Sequence, residues 1–132
     1  MNNMIDEYIN KWIPLLQRIQ EDEILLSRCK RCNPYITDEE YDALIEQLHF
    51  HEFLKEAYDS GIVVPDYMMF TDGREREVDN PSDTFIKQLS YMDTLRCIAY
   101  MYRRDHYNEG SLISEAFVNG SLLKYFRALL DK

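Results

Sequence analysis

The first 20 residues carry apolar side chains at helical spacing, and this pattern constrains the fold more than any other feature. Successive apolar positions are one, three or four residues apart, so they fall on one stripe of an α-helix. They are Met4, Ile5, Tyr8, Ile9, Trp12, Ile13, Leu16 and Ile19. Pro14 interrupts the stripe, because its ring would clash with the Asn10 carbonyl and it donates no hydrogen bond. We therefore expect a kink there, or a second helix that begins near Ile13.

Helix-start signals recur along the rest of the chain. A shorter helix is expected over residues 21–35. Thr37 and Glu40 have the spacing of a capping box, in which side chain and backbone satisfy each other's hydrogen-bonding groups. Later helices are expected to begin at Ser82 or Asp83, at Ser111 and at Ser121. The helix that follows Ser82 should continue to a point before Gly110.

The apolar face changes sides near His49. Residues before it share one helical face, whereas those after it fall on the opposite face at about 100° per residue. The two sets are Tyr41, Leu44, Ile45 and Leu48, and then Phe50, Phe53, Leu54 and Ala57. A long helix buried on both sides and a break near His49 explain this reversal equally well.

The middle of the chain has weaker signals. A short extended stretch is expected near residues 62–70, because Ile62, Val63 and Val64 are β-branched. Residues 71–83 are polar and predict a mobile loop. Taken together, the patterns predict an all-α fold: a compact single-domain bundle of about five to seven helices over residues 1–132.

Composition limits the classes of partner. The net charge of −9 argues against direct nucleic-acid binding, which needs clustered Lys and Arg. Residues 1–60 hold 13 Asp and Glu against 6 Lys and Arg, so most of the negative charge lies there. No apolar run approaches the roughly 20 residues of a membrane span, and no signal peptide is expected. The 3 cysteines are expected to be reduced, which indicates a soluble, cytoplasmic protein.

Cys29 and Cys32 have the spacing of a zinc-binding pair. His49 and His51 could complete a tetrahedral set, but two residues two positions apart on a helix point away from each other. A break at His49 would remove that obstacle. The more ordinary interpretation is a pair of structural cysteines, and no cofactor or metal is expected.

Arg103, His106 and Glu109 form the weak candidate for a catalytic set, with Asp105 beside them. Together they could clamp an anion, supply a general base and orient an imidazole. The same residues could equally serve the end of a helix, where cations are favoured. The sequence contains no Gly-rich phosphate loop, nucleophile elbow or His-Glu-x-x-His motif, so an enzyme is the less favoured class.

Two surfaces are candidates for contact with another protein. Carboxylates at Asp38, Glu39, Asp42 and Glu46 could meet a basic partner, or could form an ordinary solvated helix face. Tyr67, Met68 and Met69, with Phe70, could cover the core or present an apolar contact patch.

The last third of the chain carries a family-like order of motifs. It contains a leucine-bearing helix at 91–96, a stretch at 102–110 with Arg104-Asp105 and Glu109-Gly110, and a segment at 117–123 in which Asn119-Gly120 precedes the last helix. Trp12-Ile13-Pro14 and Tyr58-Asp59-Ser60-Gly61 add two shorter matches. These motifs, strongest over residues 91–130, resemble the domain-of-unknown-function family 6508 of small bacterial and phage-type proteins.

The resemblance implies a shared helical fold but no activity. Members of the family tend to have tryptophans after the Tyr58–Gly61 turn, whereas Asp66–Phe70 follows here and Trp12 is the one tryptophan. Because the chain is acidic, is rich in aromatic residues and lacks a complete catalytic set, we expect a non-enzymatic interaction or regulatory protein, phage- or mobile-element-encoded, that binds another protein with a basic surface. The alternatives are an acidic inhibitor of a nucleic-acid-binding protein, and a small ligand-binding or hydrolytic domain that uses Arg103, His106 and Glu109.

Overall fold

The computed structural model describes residues 3–23, 37–105 and 116–132. Helices provide the regular structure of these ranges, and no strand forms within them. The predicted all-α class is confirmed. The helices are α1 (Asn3–Glu21), α2 (Asp38–Gln47), α3 (Phe50–Ser60), α4 (Met68–Thr71), α5 (Glu75–Asp79), α6 (Asp83–Gln88), α7 (Tyr91–Asp105) and α8 (Ser121–Asp131). Residues 116–119 are also helical. The helices expected over 21–35 and after Ser111 fall largely outside the described residues.

α1 continues through Pro14, so the expected restart near Ile13 is wrong. Pro14 and Asn10 both lie on the exposed side of the helix, where water can satisfy the carbonyl that loses its partner. On the opposite side, Trp12 and Leu16 are buried. Because the same core holds the helix before and after Pro14, packing outweighs the local cost of the proline.

The face reversal near His49 is explained by a break between α2 and α3. His49 has φ +63°, the left-handed conformation with which a helix commonly ends, and its amide donates to the Glu46 carbonyl at 3.0 Å. The turn redirects the chain, so that Leu48 and Phe53 both point into the core. Of the two interpretations left open by the sequence, the break is the one observed.

The conformation of His49 leads to a prediction about stability. A left-handed conformation costs an L-residue with a side chain about 1–2 kcal/mol, whereas glycine adopts it freely. We expect His49→Gly to raise the free energy of unfolding by about 0.5–1 kcal/mol, measured by urea denaturation. His51→Gly is the matched control, because His51 lies within α3 and glycine there should lower stability by about 1 kcal/mol. Equal destabilisation by both variants would contradict the prediction.

Residues 62–79 form turns and two short helices rather than a strand and a loop. The extended stretch considered near 62–70 does not form: α4 begins at Met68, and the Val64 amide donates to the Ile62 carbonyl in a tight turn. The polar loop expected over 71–83 contains α5. Val78 anchors this segment, because it is fully buried and its carbonyl accepts a 2.7 Å hydrogen bond from the Tyr125 hydroxyl.

The single helix expected after Ser82 is two helices, α6 and α7. Ser82 caps α6, and its hydroxyl accepts from the Phe85 amide at 3.0 Å. Leu89 is extended, and the Ser90 hydroxyl then accepts from the Asp93 amide at 3.1 Å. A serine that caps a new helix competes with continuation of the old one, and the sequence pattern alone did not reveal it.

The core lies where α1, α3, α7 and α8 meet. α1 packs against α3 and α8, and α8 also packs against α6 and α7. Phe53 is at the centre: it is fully buried, and its ring lies 4.8–6.3 Å from the rings of six other aromatic residues. They are Tyr8, Trp12, Phe50, Tyr102, Phe117 and Phe126.

A hydroxyl pair links two helices beside Phe53. The Tyr8 hydroxyl donates to the Phe53 carbonyl at 2.9 Å and lies 2.7 Å from the Tyr102 hydroxyl. Burial raises the pKa of both phenols well above their ordinary value. The two groups therefore remain neutral hydrogen-bonding partners within the core.

None of the helices in the described ranges combines the length and apolar composition needed to cross a membrane.

Candidate functional site

α4 divides the four residues of the Tyr67–Phe70 segment between the core and the surface. Tyr67 and Phe70 pack against the core: their ring centroids lie 6.4 Å from those of Tyr100 and Phe85 respectively. The two methionines between them point outward. Tyr67 and Phe70 therefore cover the core, whereas a contact role for Met68 and Met69 stays a prediction.

Met68 and Met69 are 61% and 78% exposed, and we call this pair the methionine surface. They are the two most exposed large apolar side chains among the described residues. Met92 on α7, against which α4 packs, is also exposed. Met92 lies one turn before Arg96, on the same side of that helix.

An ion-pair network holds the start of α4 against α7. The Arg96 guanidinium donates to the Asp66 carboxylate through Nη2 at 2.9 Å and to the Asp93 carboxylate through Nη1 at 2.8 Å. Hydrogen bonding from Arg96 lowers the pKa of Asp66, and hydrogen bonding to Asp66 and Asp93 raises the pKa of Arg96. The network is partly exposed, so its role is geometric more than energetic.

Local hydrogen bonds order the C-terminal end of α4. The Thr71 hydroxyl donates to the Tyr67 carbonyl at 3.0 Å. Arg74 donates to the Phe70 carbonyl at 2.5 Å, and its guanidinium carbon lies 4.5 Å from the centroid of the Phe70 ring. Because both ends are fixed, the two methionines are presented on an ordered turn.

Sequence reasoning identified Tyr67, Met68 and Met69 but missed the arginines that position them. The pair of Asp93 and Arg96 has the i, i+3 spacing of a helical ion pair, and that signal was readable. Asp66 is 30 residues from Arg96, so no local pattern reveals their contact.

The acidic candidates lie on α2. Glu39 and Glu46 are exposed, and Glu46 pairs with His51 across the break between α2 and α3. Asp38 and Asp42 belong to the same helix, but their side chains fall outside the described part. A role for these carboxylates in binding a basic partner, or in an acidic inhibitor, stays a prediction.

The zinc hypothesis stays a hypothesis. His49 lies 3.9 Å from the Glu52 carboxylate, and His51 contacts Glu46, so the two imidazoles face different neighbours. Within the described ranges, no three His, Cys, Asp or Glu side chains are grouped to hold a metal ion. Cys29 and Cys32 lie outside those ranges.

The catalytic candidates are only partly described. Arg103 is exposed near the end of α7, whereas His106, Glu109 and the Asp105 side chain lie outside the described part. Among the described cysteines, Cys97 is buried beside Tyr125, and burial raises the pKa of its thiol to about 12. A thiol with so high a pKa is not a nucleophile near neutral pH.

The comparisons with known proteins place the chain in a family. No curated protein and no solved structure matches it. A family model described as "Family of unknown function (DUF6508)" matches residues 4–131, nearly the whole chain. The match confirms the family resemblance seen in the sequence and covers all of the motifs that suggested it. The chain belongs to the DUF6508 family.

Proposed function

We propose that this chain is a non-enzymatic interaction protein that binds another protein through the methionine surface. One observation carries the proposal: two large apolar side chains are exposed side by side on a four-residue helix, and Asp66, Tyr67 and Phe70 around them contact the body of the domain. An apolar surface on an ordered scaffold is typical of a contact site.

The chemistry of methionine supports such a role. Its unbranched, polarizable side chain adapts to irregular apolar surfaces, and it is enriched at protein interfaces. Burying one such side chain contributes about 1.5–3 kcal/mol, so two adjacent ones can form the centre of an interface. Because Tyr67 and Phe70 already pack against the core, α4 need not rearrange when a partner binds.

The charge of the chain indicates the kind of partner. At a net charge of −9, the protein attracts partners with a basic surface and repels acidic ones. We propose that the partner is a cytoplasmic protein in which a basic rim surrounds an apolar contact surface. Exposed charges around the contact would then increase the association rate, and the methionines would supply most of the affinity.

An affinity-capture comparison tests the proposal. The tagged full chain and a Met68→Lys/Met69→Lys variant are incubated with lysate of the organism that encodes the chain, and captured proteins are quantified by mass spectrometry. We expect at least one protein to be captured by the unaltered chain and reduced about tenfold or more with the variant, because both apolar contacts are lost.

Leu130→Lys is the matched control, because Leu130 is an exposed apolar residue on a different helix, at 40% exposure. It should retain capture, and circular dichroism should show that all three proteins are folded. Capture that is equally strong with the methionine variant, or equally weak with the control, would contradict the proposed surface.

A further inference from the structure

A second surface feature lies between α1 and α3, apart from the methionine surface. Side chains from the first three turns of α1 and from the last turns of α3 line a groove of about 230 Å³. The residues that matter for its chemistry are Met4, Glu7, Tyr8, Lys11, Glu56 and Asp59.

The floor of the groove is apolar. Met4 is 57% exposed, and the Tyr8 hydroxyl is directed into the core, where it donates to the Phe53 carbonyl and contacts the Tyr102 hydroxyl. The hydroxyl is therefore unavailable to the groove, and because Tyr8 is only 4% exposed, Met4 supplies most of the accessible apolar surface. An apolar floor of this kind suits the aliphatic stem of a long side chain.

The rim of the groove is acidic and incompletely neutralised. Lys11 pairs with Glu56 at 2.7 Å, and Glu56 also accepts from the Trp12 indole at 3.1 Å. Desolvation alone would raise the pKa of Glu56, but hydrogen bonds from Lys11 and Trp12 and the nearby lysine charges together hold that pKa below its ordinary value. Glu7 and Asp59 remain, and no described side chain forms an ion pair with either.

Helix dipoles add to this charge. Asp59 lies in the last turn of α3, where the partial charge is about −0.5 and a cation is normally favoured, yet that turn contains no basic residue. The start of α1 carries about +0.5, but Asp6 and Glu7 in its first two turns outweigh it. The groove therefore has unmet negative charge above an apolar floor.

We infer that the groove binds an arginine side chain of the protein partner, an inference that rests on the proposed function. Its volume is below the roughly 300–1,000 Å³ of small-molecule sites, so it suits one side chain. The planar guanidinium has five N–H donors, which suits a rim with more than one carboxylate, and its aliphatic stem can lie along the apolar floor.

A titration with model peptides tests the inference on the isolated full chain. The probes are acetyl-Gly-Arg-Gly-amide and its citrulline counterpart, which has nearly the same shape without the charge. Amide chemical shifts measured by NMR should change with the arginine peptide at residues 4–11 and 56–60, with a Kd in the millimolar range. The citrulline peptide should bind at least about threefold more weakly.

Two double variants make the test specific. Glu7→Gln/Asp59→Asn should weaken arginine-peptide binding about three- to tenfold, whereas Glu39→Gln/Glu77→Gln changes the net charge equally at exposed sites elsewhere and should leave it unchanged. Equal shifts with both peptides, equal effects of both double variants, or no shift in residues 4–11 and 56–60 would overturn the inference.

The titration is independent of the methionine surface. If capture depends on Met68 and Met69 but the arginine peptide fails to bind, the interaction function stands and the groove assignment falls. If the peptide binds in the groove but capture does not depend on the methionines, the methionine surface is not the contact site and the proposed function is refuted. The groove would still be an arginine-binding site.

Discussion

Phe53→Ala is expected to lower the free energy of unfolding by about 3–5 kcal/mol, enough to unfold a domain of ordinary stability. Phe53 is fully buried, and its ring contacts six aromatic rings from α1, α3, α7, α8 and the helical run at 116–119. Removing the ring therefore leaves a cavity that no single neighbour can fill, because the neighbouring rings are held in place by several helices.

Urea denaturation followed by circular dichroism measures this loss. Leu130→Ala is the control, because Leu130 is exposed on α8 and its loss should change stability by less than about 0.5 kcal/mol. A Phe53→Ala protein within 1 kcal/mol of the unaltered chain would show that Phe53 is not at the centre of the core.

Stability is also expected to fall steeply at alkaline pH. Burial raises the pKa of Cys97 from 9.0 to about 12, and it also raises the pKa values of Tyr8, Tyr102 and Tyr125 above the ordinary 10.0. An acid whose folded pKa is raised loses its proton first in the unfolded chain. Its contribution is thus fully present below the unfolded pKa and is lost as pH rises towards the folded value.

The pH windows of the two residue types differ. Cys97 begins to destabilise the fold near pH 9, and the tyrosines add their effect above about pH 10. Each group contributes a slope of about 1.4 kcal/mol per pH unit. Urea denaturation at intervals from pH 7 to 11 measures the slope.

Two variants show which ionisable residues cause the loss of stability at alkaline pH. Cys97→Ala should flatten the region between pH 9 and 10, whereas Tyr102→Phe should reduce the slope above pH 10. A free energy of unfolding that stays constant up to pH 11 would contradict the burial of these groups.

Much of the helical architecture was predictable because its signals are local. The apolar stripe of α1, the Thr37 cap of α2 and the Ser82 cap of α6 all appear in the structure. In each case, a few consecutive residues supply both the pattern and the hydrogen bonds. The Thr37 hydroxyl, for example, accepts from the Glu40 amide at 3.1 Å.

The errors arose where distant contacts override local preference. Packing on both sides of Pro14 keeps α1 continuous, although proline disfavours it locally. Burial of Val78 beneath α8 orders a polar segment that the sequence indicated as a loop. In both cases the deciding partner is far away in sequence, so no local window contains the information.

The candidate site also combines features that local sequence predicts with features that depend on distant contacts. The sequence located Tyr67, Met68 and Met69 as unusual, but it could not tell which of them face outward. Their orientation depends on two residues of α7: Arg96, which binds the Asp66 carboxylate, and Tyr100, against which Tyr67 packs. The groove between α1 and α3 was not predicted, because it forms between residues such as Lys11 and Glu56 that lie 45 positions apart in the sequence.

Amide hydrogen exchange of the purified complex is the most direct test of the interaction claim. The chain is compared alone and bound to the protein that it captures, with exchange followed at each peptide segment. We predict slower exchange over residues 67–74 in the complex, because the partner covers α4 and the turn that follows it. Unchanged exchange over 67–74, with protection confined to α2 at residues 38–47, would contradict the claim and would place the contact on the acidic helix instead.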